Sequence, residues 1–410
     1  MLDSATRDIV RASAPAIRLH SLAVVERMYE LLFRDRSIEM IFDPSHMRDH
    51  SQPRALAEAV TAYAENIDNI AALLPAVERI AHKHVARAVT AEHYGAVGAC
   101  IIEAMGDVLG DAATPELLTA WALAFGDLAD VFIARETDLA DTAAAHPGGW
   151  RGLRDFRVAS ITEESAIIRS LELVPVDGGT VLPHIPGQYL TLALALPDRP
   201  LLRHYSLSGA PSTAGYRISV KREPQGTGSG MLHALVPGAV LRCAVPAGHF
   251  TLDSSAACPV LLLSGGVGQT PMISMLHALA ERERAPVWFL HAAIDGAAHA
   301  FADEVRAVAA RALWVRSRTF YERPAPNDRL GDDFDRTGRI DRDTLLEACG
   351  DGDVDVYLCG PTAFMRAMLA ALAEIGVADD RVHFEFFGPQ SSLESSEAPT
   401  VPPSAVKLAA

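Results

Sequence analysis

"CPVLLLSGGVGQTPMISMLHALAER", residues 258–282, runs from an unbroken apolar segment through a glycine-rich turn into a helical pattern. An apolar run without polar alternation reads as a strand buried on both faces. Gly265, Gly266 and Gly268 permit a tight turn and close backbone approach, and Gln269 follows them. Thr270–Pro271 marks a helix start, because proline is tolerated in the first turn. A helix N-terminus with free N–H groups suits a pyrophosphate. The spacing is not G-x-G-x-x-G, so the standard dinucleotide fingerprint is not met. A second such turn, "YLCGPTAFM" (357–365), carries Cys359, Gly360 and Pro361. Between and after them, "APVWFLHAA", "ALWVRSRTF", "VDVYLCG" and "VHFEFFG" read as strands alternating with helices. That alternation predicts an α/β doubly wound parallel sheet over 258–389, with ligands at the C-terminal edge of its strands.

Upstream the texture differs. "AIIRSLELVPVDGGT", "GQYLTLALALP" and "GYRISVKRE" alternate with period two and are bounded by glycine and proline. They predict an antiparallel β-barrel over 148–257. The linker signal "HPGGWRGLRDF" (146–156) precedes it. Residues 1–147 read as helix throughout, an all-α domain. The end, 390–410, is rich in serine and proline, aperiodic, and expected to be a disordered tail. The expected architecture is therefore multidomain: helical bundle, barrel, α/β domain.

The chain has 410 residues, of which 49% are hydrophobic and 21% charged, an ordinary globular composition. A net charge of −16 excludes nucleic acid as the expected partner, since that needs a basic surface. The five cysteines show no C-x-x-C spacing, which predicts neither a disulfide framework nor a zinc site. The longest apolar runs fall short of the ~20 residues of a transmembrane segment. "MLDSATRDIV" has neither a basic nor an apolar leader region, and a cytoplasmic location is expected.

In the helical part, "RIAHKHVARA" (79–88) holds two histidines. Leu73, Leu74, Val77, Ile80, Ala81 and Val85 form a helical stripe. His84 lies on that stripe; His82, about 160° around the helix, is expected to face solvent. Tyr29 sits on the stripe Leu22, Val25, Leu32, Phe33. Glu136 ends the stripe Trp121, Phe125, Leu128, Phe132. Tyr94 follows His84 by ten residues. A buried carboxylate is costly without partners, so this set reads as a prepared pocket.

Four motifs occur in one order: Arg203-x-Tyr205-Ser206, Gly226-x-x-Ser229, Gly265-Gly266-x-Gly268-x-Thr270-Pro271 and Cys359-Gly360-Pro361. Together they resemble the ferredoxin–NADP⁺ reductase superfamily. The resemblance implies that Arg203 holds the flavin pyrophosphate. Tyr205 and Ser206 would line the isoalloxazine, with Gln188 and Tyr189 beside it. The 265–271 and 359–361 turns would flank the nicotinamide dinucleotide. Phe387, in "HFEFFGP", would be an aromatic on the flavin face. Phe386 stands where close relatives carry cysteine, while the neighbouring Glu385 and Phe387 persist. No arginine stands in "IDGAAHA" after the second strand, which favours NADH over NADPH; Arg316 and Arg318 lie past the next strand.

The helical part resembles a globin, and residues 1–389 resemble a flavohaemoglobin. That implies a globin haem domain, an FAD-binding barrel and an NAD-binding domain, with haem b, FAD and NADH or NADPH as cofactors. It also implies His84 as the haem-iron ligand, Tyr94 and Glu136 as its proximal partners, and Tyr29 as distal donor. Phe42 would be wedged against the haem, Gln52 would be a distal-helix residue, and Lys83 would face the reductase side with Glu385. The implied activity is nitric oxide dioxygenation, NO and O₂ being the substrates and the chain a self-contained monomer. A haem-linked reductase of hydroperoxides or quinones shares these motifs. So does an oxygen-carrying or oxygen-sensing globin with its own reductase.

Overall fold

The computed structural model describes residues 2–35, 51–87, 89–196, 200–253, 255, 257–281, 285–350 and 352–387. The expectations for Phe42 and for the 390–410 tail lie outside them.

The N-terminal part is helical: α1 (Ser4–Leu32), α2 (Ser51–Glu65), α3 (Leu74–Ala86), α4 (Ala91–Leu109) and α5 (Pro115–Ala145). The starts are capped as polar termini require. Asp3 accepts from the Thr6 N–H at 2.7 Å, and Thr114 accepts from Leu117 at 3.2 Å ahead of Pro115. Helix α1 packs on α2, α4 and α5, and α3 packs on α5. Ile17, Val25, Met28, Met105 and Trp121 fill the core. Its polar atoms are satisfied. The Tyr63 hydroxyl donates to the Ala124 carbonyl (2.8 Å) and the Trp121 indole to Ser13 Oγ (3.0 Å). By length and composition α5 is apolar enough to cross a bilayer, unlike the short runs weighed in the sequence. Here it packs within the helical bundle.

The middle part is an antiparallel six-stranded sheet of order β4-β3-β6-β1-β2-β5. Its strands are β1 (Arg154–Glu163), β2 (Ile168–Pro175), β3 (Tyr189–Ala195), β4 (Pro200–Ser206), β5 (Tyr216–Lys221) and β6 (Val240–Cys243). The helix α6 (Thr227–His233) follows β5. A bridge between Leu207 and Ile218 brings the β4 and β5 edges together, so the sheet curls into a barrel. Phe156, Val158, Leu171, Leu190 and Leu192 point inward, two residues apart on each strand.

The C-terminal sheet is parallel, of order β10-β9-β8-β7-β11-β12. Its elements are β7 (Val260–Gly265), α7 (Gln269–Ala280), β8 (Val287–Ala293), α8 (Ala302–Arg311), β9 (Val315–Tyr321), the two-residue β10 (Arg336–Thr337), α9 (Arg342–Cys349), β11 (Asp355–Cys359), α10 (Thr362–Glu374) and β12 (Val382–Glu385). Every residue of β7 is buried, as its unbroken apolar run predicted. Leu262, Phe289 and Tyr357 lie in one core, and Leu261, Leu263 and Leu358 in the other. The first core also takes Ile168, Phe250 and Leu252 from the barrel, so the two domains share apolar packing. The chain winds outward from β7 to β10 and returns to β11 on the other side of β7. This places the switch point, and with it the crevice for a ligand, between the 265–268 and 359–361 turns.

Candidate haem, flavin and dinucleotide sites

Three helices bring together the residues of the helical pocket. His84 stands in the last turn of α3, Tyr94 in the first turn of α4 and Glu136 in α5. The His84 Nδ1 lies 2.7 Å from Glu136 Oε1 and 2.8 Å from the Tyr94 hydroxyl. Tyr94 also donates to Glu136 Oε1. With the Tyr94 proton so used, Nδ1–H donates to the carboxylate. Nε2 then keeps its lone pair for a metal. Glu136 is 7% exposed, and its partners answer the cost of burying a carboxylate. Burial and the adjacent carboxylate push the Tyr94 hydroxyl pKa well above its ordinary value, which keeps it a proton donor. Phe132 packs 5.8 Å from the His84 ring and 6.2 Å from that of Tyr94.

One expectation is corrected. His82 does not stand free in solvent: its side chain is 21% exposed against 31% for His84, and its Nε2 lies 3.2 Å from Glu78. The i, i+4 spacing supplies that partner. Accessibility therefore does not separate the two histidines; their partners do. Tyr29 is buried on α1 and hydrogen-bonds Gln52 of α2, and its burial raises the hydroxyl pKa.

In the barrel, Arg203, Tyr205 and Ser206 lie on β4 opposite Leu192, Leu190 and Tyr189. Neighbours on a strand face opposite ways, so Ser206 shares its face with Tyr189 and Tyr205 shares its with Arg203. A methyl added at Gly228 of α6 would meet both Arg203 Cγ and the Tyr205 hydroxyl at 3.2 Å. The Gly226–Ser229 segment therefore presses on that face. Ser229 Oγ accepts from Glu223 N–H (3.1 Å) and donates to Gly226 (3.2 Å), closing the turn. Gln188 closes another by accepting from Ile185 (2.9 Å). Sequence reasoning missed His204, whose ring packs tilted against Tyr189 (centroids 4.7 Å apart) and bonds Thr191 Oγ1 at 2.8 Å. Its place between the motif residues was the available signal.

The two dinucleotide turns touch. A methyl at Gly268 would lie 2.2 Å from the Cys359 carbonyl oxygen and 2.6 Å from Gly360 N. Gly266 has φ +52°, a conformation glycine adopts freely. Thr270 donates to the Val267 carbonyl (3.0 Å) and Pro271 is buried in the first turn of α7. Gln269 is 1% exposed, and neither atom of its amide has a hydrogen-bond partner among the described residues. An orphaned buried amide beside such a turn fits a polar ligand there. Cys359 is fully buried, which holds its thiol protonated. Pro361 caps α10. Phe387 is 45% exposed rather than packed in a core.

Lys83 and Glu385 sit at the seam between helical domain and reductase. Burial lowers the Lys83 pKa and raises that of Glu385, and each charge opposes the other's shift. Both side chains nevertheless keep accessible surface, so they line a crevice rather than a core.

Comparison with known proteins follows the same division. Residues 27–132 match the globin family. Residues 155–252 match the oxidoreductase FAD-binding domain and 262–369 the oxidoreductase NAD-binding domain. A flavohemoprotein of Bordetella parapertussis is 45% identical over 397 residues, covering 95% of this chain and 99% of that one. One from Deinococcus radiodurans is 43% identical over 398 residues, covering 96% and 98%. The chain belongs to the flavohaemoglobin family. A solved flavohaemoglobin of Malassezia yamatoensis, described with bound FAD and heme, superposes with TM-score 0.82 at 25% identity, covering 94% of this chain and all of that one. The FAD/NAD-binding domain of a nitric oxide dioxygenase from Vibrio cholerae covers 58% of this chain at 37% identity and TM-score 0.52.

The residues present fit the family's groups. His84 offers one free imidazole nitrogen. A single nitrogen ligand suits an iron already carried in a porphyrin. Arg203, Tyr205, Ser206 and Tyr189 are the barrel residues that would meet FAD, and the two glycine turns are those that would meet NAD(P)H.

Proposed function

We propose that this flavohaemoglobin is a nitric oxide dioxygenase, converting NO and O₂ to nitrate with electrons from NADH. The observation that carries the reading is the buried Glu136 within 2.7 Å of His84 Nδ1. A carboxylate on the far nitrogen of an axial imidazole makes the ligand more electron-rich, which favours oxygen chemistry over oxygen carriage. When bound, haem supplies an iron with an open position for a gas, and FAD converts the two-electron hydride of NADH into single electrons.

The chain's own residues do the rest. His84 Nε2 would hold the iron, while Tyr94 and Glu136 fix the ring's tautomer and orientation. Tyr29, its hydroxyl kept protonated by burial, donates a hydrogen bond into the distal pocket, and Gln52 orients that hydroxyl. Tyr189 and Ser206 share one face of the barrel and present it to the flavin. Lys83 and Glu385 mark the seam across which electrons pass from reductase to globin. NADH is the preferred donor in this reading. The loop after β8 carries Asp295, and Asp328, from the segment after β9, accepts from its Gly296 N–H at 3.0 Å. A 2′-phosphate would meet negative charge there.

Electron balance sets the test: each NADH supplies two electrons, so two NO and two O₂ should disappear per NADH with two nitrates formed. That stoichiometry, measured with NO and O₂ electrodes beside NADH absorbance, is the expected result. NADH oxidation that neither consumes NO nor yields nitrate contradicts the reading.

A further inference from the structure

The segment "IDGAAHAF", residues 294–301, follows β8, and beyond Asp295 and Gly296 it enters none of the sites above. Phe301 has φ +60° and ψ +15°, the one left-handed non-glycine residue among those described. An L side chain adopts this conformation at a cost and keeps it only where its surroundings over-determine it.

Those surroundings belong to two domains. The Phe301 ring is 4% exposed, in the core shared by barrel and dinucleotide domain. The Arg217 guanidinium, from barrel strand β5, lies 5.4 Å over that ring. Arg217 then makes two bonds to Glu304 in the first turn of α8, at 3.0 and 2.8 Å. His277 of α7 joins the same carboxylate at 2.5 Å. A second tie from the barrel is the Ala166 N–H donating to the Ala297 carbonyl at 2.9 Å.

The other side of the segment runs to the dinucleotide turn. His299 bonds the Tyr321 hydroxyl (2.9 Å) at the end of β9 and stacks on His291, with centroids 5.0 Å apart and planes 25° apart. His291 Nδ1 lies 2.9 Å from Ser264 Oγ, one residue before Gly265. Both imidazoles are buried, and burial lowers their pKa values, His299 to about 4, so two neutral rings stack without repulsion.

We propose that residues 294–301 form the joint that sets how the dinucleotide domain presents nicotinamide to the flavin, with His299 and Phe301 as positioning residues for hydride transfer. In that step the C4–H bond of NADH breaks, and its hydride, with both electrons, bonds the flavin. NADH leaves as NAD⁺ and the flavin is reduced. The rate depends on approach to ~3–3.5 Å, and small misplacements cost far more in rate than in affinity. The inference rests on hydride transfer from NAD(P)H to FAD and not on the NO reaction.

The test is anaerobic stopped-flow reduction of FAD by NADH in the holoenzyme. Phe301→Gly keeps the positive φ without strain but removes the ring, and His299→Ala removes the stack. Each should lower the limiting rate of flavin reduction about tenfold while the NADH dissociation constant stays within about twofold. The deuterium isotope effect with C4-labelled NADH should rise, a readout that mere loss of stability would not move. Tyr321→Phe removes one oxygen and should slow the step about threefold; it decides the matter if the larger changes cost the protein its flavin. Native limiting rates in these variants overturn the proposal. So does weakened NADH affinity at a native limiting rate, which would make the segment part of the dinucleotide seat.

Discussion

The helical pocket and the dinucleotide crevice are built by opposite strategies. In the helical pocket, two side chains from residues 84 and 94 converge on one carboxylate oxygen of Glu136, with a hydroxyl and an imidazole supplying the protons. In the crevice the chain offers mostly backbone: short runs, 265–268 and 359–361, which meet so closely at Gly268 that a methyl there has no room. The first site is specified by chemistry distributed over distance, the second by the absence of side chains in a contiguous stretch. The first should therefore be sensitive to side-chain identity and tolerant of backbone substitution nearby, and the second the reverse.

The comparison can be broken most sharply at Glu136. Glu136→Ala leaves Tyr94 and the His84 Nδ1–H without their shared acceptor, and NO turnover of the haem-loaded protein should fall about 10–100-fold. Flavin reduction by NADH should stay native. If turnover is unchanged in the electrode assay, the carboxylate does not tune the ligand.

Gly268→Ala is the counterpart in the crevice. Its added methyl would overlap the Cys359 carbonyl and Gly360 N, so the two turns must part. NADH affinity should drop about tenfold and stability by about 1–3 kcal/mol, from overpacking. Titration with NADH and thermal unfolding check both. A native dissociation constant would show that the turns need not touch.

Acid should separate the halves more gently. Burial depresses His184, 3% exposed and 2.8 Å from Ser274, to about 4, and His299 likewise to about 4. In the unfolded chain both take up protons near pH 6.5, so the unfolded state binds more protons than the folded one between pH 6.5 and 4. Stability is therefore full above about 6.5 and declines as pH falls toward 4, by at most about 3 kcal/mol per histidine. Calorimetry should show the reductase transition moving down over this range further than the globin transition. Equal movement would argue against these two histidines as the cause. The smallest expected effect is Tyr63→Phe, which frees the Ala124 carbonyl inside the globin core. It should cost about 1 kcal/mol in thermal unfolding and leave the spectra of both cofactors alone.

The two strategies also decide what the sequence could disclose. The turns were legible because strand, glycines and helix start are contiguous, and β7 is buried at every position as its apolar run implies. The barrel's alternating runs were equally plain in what became β2, β3 and β5. Val77 and Ala81 of the His84 stripe are buried on α3, whereas Leu74 is 51% exposed. The convergence of His84 with Tyr94 and Glu136 depends on how three helices cross, and no local pattern encodes that; the family resemblance supplied it. The stripe argument overreached at His82, because angle around a helix says nothing of the Glu78 carboxylate one turn away. Arg217, His299 and Phe301 were invisible for a related reason. Each takes its role from a partner on another strand or in another domain, and the Phe301 conformation has no sequence signature at all.

The central claim is that His84 alone of the two neighbouring histidines anchors the haem, in a pocket separable from the reductase. It is tested most directly by the visible absorption spectrum of purified His84→Ala before and after NADH, beside the unaltered protein. The account predicts a Soret band in the unaltered protein and none in the variant, with the flavin band bleached by NADH at the native rate in both. A variant that keeps its Soret band at the native position and intensity would contradict it.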